Sequence, residues 1–211
     1  MNSKNELERV KKSARIISII LKVIFITIIV GIVGSIIGIA IINLMPKETL
    51  NGILSPGVIT NSVSLGNLSF DLENVTMGIN DIIKMFNTSL LMLTVLLFLL
   101  GMVVKQLIKI MKVIQEGTPF TQECSKSIGI IGIVIMMCSV VLPSVISAME
   151  FRMLRIFNVQ NALMASNQIS QVKYTINCFD GSILIFGIII FMLGGIFKYG
   201  CYLQDEYDST L

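Results

Sequence analysis

The sequence predicts an all-α membrane protein: four transmembrane helices in a bundle, N and C termini cytoplasmic, and a small external cap containing a β-hairpin. Three observations carry that prediction. The 211 residues are 54% hydrophobic and 14% charged, with a mean hydropathy of +0.85, more apolar surface than a soluble chain of this size can solvate. Four apolar runs, Ile16 to Leu44, Leu90 to Ile110, Ile128 to Met149 and Gly181 to Phe197, approach or exceed the ~20 residues that cross a bilayer as helix. Lys and Arg are distributed unevenly between the flanking segments, which sets orientation.

The expected organisation is one membrane domain, residues 1–211, with helices at about 16–44, 88–116, 119–150 and 180–201 and external segments at 45–87 and 151–179. The first run is too long for the ~7 to 15 residues of a signal-peptide core, and no small-x-small site follows it before Pro46, so it is expected to remain in the mature protein. Lys4, Arg9, Lys11, Lys12 and Arg15 precede it, and Lys105, Lys109, Lys112 and Lys126 flank the connection between helices two and three. The other two connections are poorer in cations, which places both termini in the cytoplasm. With that topology Cys124 and Cys201 are cytoplasmic, Cys138 lies in helix three and Cys178 alone is external, so four free thiols are expected rather than a disulfide framework.

Helix one contains GIVGSIIG. Gly31, Gly34 and Gly38 lie near one face, and Gly34 with Gly38 forms a small-xxx-small pair that lets another backbone approach. Packing within the chain is preferred to homodimerisation, and nothing specifies the oligomeric state. Gly129 with Gly132, and Gly187 with Gly194 and Gly195, offer similar narrow faces on helices three and four. Pro143 inside helix three removes the hydrogen bond to Ser139 and should bend the helix.

Helix two should continue into the cytoplasm, because Lys105, Lys109, Lys112 and Glu116 share one face while Val104, Leu107, Ile108, Met111 and Ile114 hold the other. Gly117 reads as its left-handed stop, with Thr118 as cap and Pro119 as first residue of the next helix, so Gly117, Thr118, Pro119 and Phe120 form a tight cytoplasmic turn. The lysines are read as an anchor on anionic lipid, at ~1 kcal/mol per cation. Without interleaved aromatics they make no direct nucleic-acid site.

In the external cap, VSLGNLSFDL carries two alternating runs around Gly66-Asn67. Gly first in a two-residue loop signals a type II′ hairpin with Leu65 opposite Leu68 and Val63 opposite Phe70. A lone hairpin is marginal in water, so QVKYTINC, with Val172, Tyr174, Ile176 and Cys178 alternating, is expected to add a third strand. GINDIIKMFNTSL reads as a short helix leading into helix two. Asn67, Asn74 and Asn87 match the glycosylation pattern, which matters only in a eukaryotic secretory pathway.

Chemistry is bounded by elimination. The chain has no histidine, the commonest general base and metal ligand. It has no cluster with metal spacing, no phosphate loop and no nucleophile elbow. No catalytic, cofactor-binding or metal-binding residue is therefore assigned, and the thirteen methionines read as fillers of the core. Lys22 is shallow enough to snorkel and the helix centres lack charge, which disfavours an ion-coupled transporter.

The run FGIIIFMLGGIFKYGCYLQDEYDSTL, with its Leu-Gln-acidic-acidic tail, and the turn EGTPFTQE together resemble an uncharacterised bacterial family of YoaS-like four-helix membrane proteins. The similarity covers most of the chain. Members are often encoded beside a small helix-turn-helix protein, so the resemblance implies a regulatory or interaction protein of the bacterial cytoplasmic membrane that signals to or sequesters a cytoplasmic partner such as a transcription regulator. The tail supplies a matching surface: Asp205, Glu206 and Asp208 are acidic, and Tyr207 and Leu211 give apolar anchorage. The alternative is a small permease or an immunity protein against membrane-active peptides. The expected partners are thus the lipid bilayer and, through the cytoplasmic face, a small DNA-binding regulator.

Overall fold

The computed structural model describes residues 3–46, 48–50, 62–65, 68–71, 79–118, 121–156 and 175–209. Four long helices dominate: α1 (Ser3–Leu44), α2 (Ile79–Glu116), α3 (Gln122–Ile156) and α4 (Gly181–Ser209). Each is long and apolar enough to cross a membrane, which makes the chain a multi-pass membrane protein. Their outward faces are apolar in the way lipid requires: Ile19, Val23, Ile26 and Val30 on α1 and Phe186, Met192 and Ile196 on α4 are all exposed.

The chain divides into two compact units. One comprises Met1–Val33, Val95–Leu142 and Phe179–Leu211, the other Gly34–Thr94 and Pro143–Cys178. All four helices contribute to the first unit, where they pack as a bundle. There α1 runs along α2: Gln115 Nε2 donates to the Ala14 carbonyl at 3.2 Å, and Gly31 and Gly101 lie against Leu97 and Ile28. The side chain of Lys11 lies against Gly117, at the end of α2. A cation there complements the negative end of the helix dipole.

The second unit holds the remaining parts of α1, α2 and α3. The hydroxyls of Ser35 and Thr94 share a 2.7 Å hydrogen bond, the amides of Asn43 and Asn87 pair reciprocally, and Arg152 donates to the Thr88 hydroxyl. Polar pairs of this kind join helices where apolar contact alone gives no drive beyond what lipid offers. Strands β1 (Ser62–Leu65) and β2 (Leu68–Asp71) pair antiparallel, with Leu65 opposite Leu68 and Val63 opposite Phe70, the register that a two-residue loop dictates.

Several boundaries differ from those expected. The segment from Ile79 is the first part of α2 itself rather than a separate short helix, and α4 continues past residue 201 to Ser209. α3 runs through Pro143 to Ile156. The third strand is not formed where its residues are described, from Thr175 to Cys178. Asn177 instead gives its backbone to α3: its N–H donates to Ser147 Oγ at 3.2 Å, and that hydroxyl donates to the Asn177 carbonyl at 2.9 Å. Both backbone groups are thereby satisfied without a strand partner. The rest of that expected strand, Val172 to Tyr174, lies outside the described residues.

Candidate functional site

Helices α3 and α4 approach each other closely along a seam in the first unit. A Cβ on Gly132 would stand 2.5 Å from the Phe191 nitrogen and 2.7 Å from its Cα, and one on Gly187 would stand 2.8 Å from the Met136 nitrogen. One on Gly194 would meet the Gly129 nitrogen at 2.9 Å. These are backbone atoms, which cannot swing aside. Gly187, Gly194 and Cys201 recur every seven residues, two helical turns, and so keep one line along α4. Two hydrogen bonds reinforce the seam. Ser125 Oγ donates to the Gly194 carbonyl at 2.8 Å, and the Asp180 N–H donates to the Ser139 carbonyl at 2.8 Å. The second has its origin in the sequence, because Pro143 has no N–H to offer that carbonyl. Asp180 also caps α4, its Oδ1 accepting from the Ser182 and Ile183 N–H groups at 2.9 and 3.2 Å.

The other expected glycine faces are only partly realised. Gly31 and Gly38, also seven apart, meet the Cδ1 atoms of Leu97 and Leu90, each contact within its own unit. Gly34, Gly129 and Gly195 face open space, Gly129 meeting α4 only through its backbone at Gly194, so Gly34 and Gly38 do not act as a pair. Four residues advance a helix 40° beyond a full turn, and the helix phase here favours the seven-residue line.

At the turn, Gly117 has φ +86° and its N–H donates to the Ile114 carbonyl at 3.1 Å, the expected left-handed stop. The cap of α3 is displaced from Thr118 to Thr121: Thr121 Oγ1 accepts from the Cys124 N–H at 3.3 Å, and α3 starts at Gln122. Thr118 is exposed, and Pro119 and Phe120 lie outside the described residues. All four cysteines are free thiols, Cys124 and Cys201 buried and Cys178 exposed.

The tail is helical through Ser209. Beyond Lys198 the side chains of Tyr199, Leu203 and Tyr207 follow at four-residue spacing along α4 and are exposed, with the exposed Glu206 beside them and the exposed Asp205 on the other side of the helix, in line with Lys198. The side chain of Asp208 and the whole of Leu211 lie outside the described residues. A cleft of about 360 Å³ opens beside this stretch, lined by Gln122 of α3 and by Gly195, Lys198, Tyr199, Cys201, Tyr202 and Asp205 of α4.

Sequence reasoning missed Thr121, Asp180 and Ser125 as positioning residues, and Lys198, Tyr199, Tyr202 and Gln122 as cleft residues. Asp180 carried a signal, a capping residue immediately before an apolar helical run. It missed Gln106 too, buried within α2 with its side-chain oxygen lacking any hydrogen-bond partner among the described residues. No family model, curated protein or solved structure matches this chain.

Proposed function

We propose that the chain is an interaction protein of the bacterial cytoplasmic membrane, of the YoaS-like kind that its turn and tail resemble, and that the end of α4 presents an acidic, aromatic helix to a cationic partner in the cytoplasm. The observation that supports this most is the continuation of α4 as helix through Ser209, with Tyr199, Leu203 and Tyr207 exposed along it. A helix with an apolar stripe and an acidic flank is the form in which short segments dock into grooves. A small DNA-binding regulator is cationic where it meets phosphate. Held on this helix, it would be kept from DNA, with an affinity that falls as salt screens the attraction.

Deleting Leu203 to Leu211 tests the reading. The seam of α3 and α4 lies before that segment, so the shortened protein should insert and accumulate normally while losing crosslinks to the regulator and changing output from the promoter that regulator controls. Normal abundance with unchanged crosslinking and unchanged promoter output would refute it.

A further inference from the structure

The cleft at the end of α4 has an internal order of charge, and it shares Tyr199 and Asp205 with the helix proposed to dock a partner. From Gly181 to Phe197 α4 carries no charge, a length of about 25 Å at 1.5 Å per residue, near the ~30 Å of a hydrocarbon core. Lys198 therefore stands at the depth where hydrocarbon gives way to headgroups. Tyr199 and Tyr202 follow it in the position of an interfacial aromatic belt. Asp205 lies two turns further out on the same side of the helix, about 10 Å along the axis. Gly195 leaves the inner mouth open, since a Cβ there would meet nothing within 4 Å. Lys198 and Asp205 both line the cleft, and among the described residues neither takes part in an ion pair.

The cleft thus reads, from the bilayer outward, as cation, aromatic hydroxyls, anion. A phospholipid with a zwitterionic headgroup has the complementary order, its phosphate next to the glycerol and its ammonium nearer to water. We propose that this cleft binds phosphatidylethanolamine. Lys198 takes the phosphate, helped by the amide of Gln122; Asp205 takes the ammonium, and the tyrosine rings line the space between them. An anionic lipid such as phosphatidylglycerol satisfies Lys198 but sets no cation against Asp205, so the acid selects between headgroups rather than adding to a general attraction.

Native mass spectrometry of the full chain, released from nanodiscs holding equal dioleoyl-phosphatidylethanolamine and dioleoyl-phosphatidylglycerol, tests the assignment. Retention should favour phosphatidylethanolamine by about two- to fivefold, the scale of an exposed ion pair. Asp205→Asn should abolish the preference, and Asp205→Lys should reverse it, a gain that misfolding cannot imitate. Equal retention by the unaltered chain, or a preference that survives Asp205→Asn, would overturn the proposal. So would displacement of the bound lipid by soluble glycerophosphoethanolamine at matched concentration, because the ligand would then be a free headgroup compound and not a lipid. None of these outcomes depends on a regulator being present, so they leave the tail-deletion test to be judged separately.

Discussion

Replacing Gly132 by Ala places one methyl group where no room exists. Its Cβ would lie 2.5 Å from the Phe191 nitrogen and 2.9 Å from the Gly187 carbonyl oxygen, whereas ordinary contact begins near 3.4 Å. Relief requires α3 and α4 to separate by about 0.9 Å, the difference between 3.4 and 2.5. A radial gap of ~0.5 to 1 Å forfeits a quarter to a half of each dispersion contact it opens, and it also stretches the bond from Ser125 Oγ to Gly194. Overpacking of this kind costs about 1 to 3 kcal/mol, against a gain of at most ~1 kcal/mol from the better helix propensity of Ala. The same change at Gly34, where the added methyl meets nothing, has only the gain. Reversible unfolding in mild detergent, followed by steric trapping or denaturant titration, should rank Gly34→Ala at or above the unaltered protein and Gly132→Ala about 1 to 2 kcal/mol below it. Equal stability of the two variants would refute the seam.

The helix ends give three further predictions. Thr121→Ala should lower stability by about 0.5 to 2 kcal/mol while Thr118→Ala leaves it unchanged, and the reverse result in the same titration would restore Thr118 as the cap. Asp180→Ala should lose a similar amount and raise hydrogen exchange at Ser182 and Ile183, with Asp180→Asn retaining most of the protection because its amide oxygen still accepts. Gly117→Ala should destabilise by about 1 kcal/mol or more, since its φ of +86° suits only glycine and the new methyl would displace the Lys11 side chain. Gln106→Leu should stabilise the protein by about 1 kcal/mol or more, because it removes a buried acceptor that has no partner among the described residues; a loss of stability there would mean that the amide is satisfied in the membrane.

The spans were legible because bilayer thickness imposes a length of apolar helix that few soluble sequences imitate, and the stop at Gly117 because a left-handed residue leaves few alternatives to glycine. The cap was not, since TPFT offers two threonines and only the course of the chain beyond Gly117 decides between them. Gly34 and Gly38 formed a pair on paper, yet the phase of α1 against α2 is a tertiary quantity and turned Gly34 away. Pro143 announced a free carbonyl at Ser139 but not the N–H that donates to it, because Asp180 is remote in sequence and reaches it only through the α3–α4 seam. Thr175 to Cys178 alternate like a strand, but the hydroxyl of Ser147 satisfies Asn177 first. The tail's acids and tyrosines were visible as composition, whereas their spacing along one helix required knowing that α4 does not end at the bilayer surface.

Four spans with the basic turn and the tail in the cytoplasm underlie both proposals, and thiol accessibility in intact cells tests that arrangement most directly. Cys201 is 4% exposed and would report burial rather than side, so the inner probe belongs at the exposed Ser209. With Cys178 as the sole thiol, an impermeant maleimide should label intact cells. With Ser209→Cys as the sole thiol, it should label only after lysis. Labelling of the Ser209→Cys protein in intact cells, with Cys178 protected until lysis, would invert the topology and remove the cytoplasmic partner from the account.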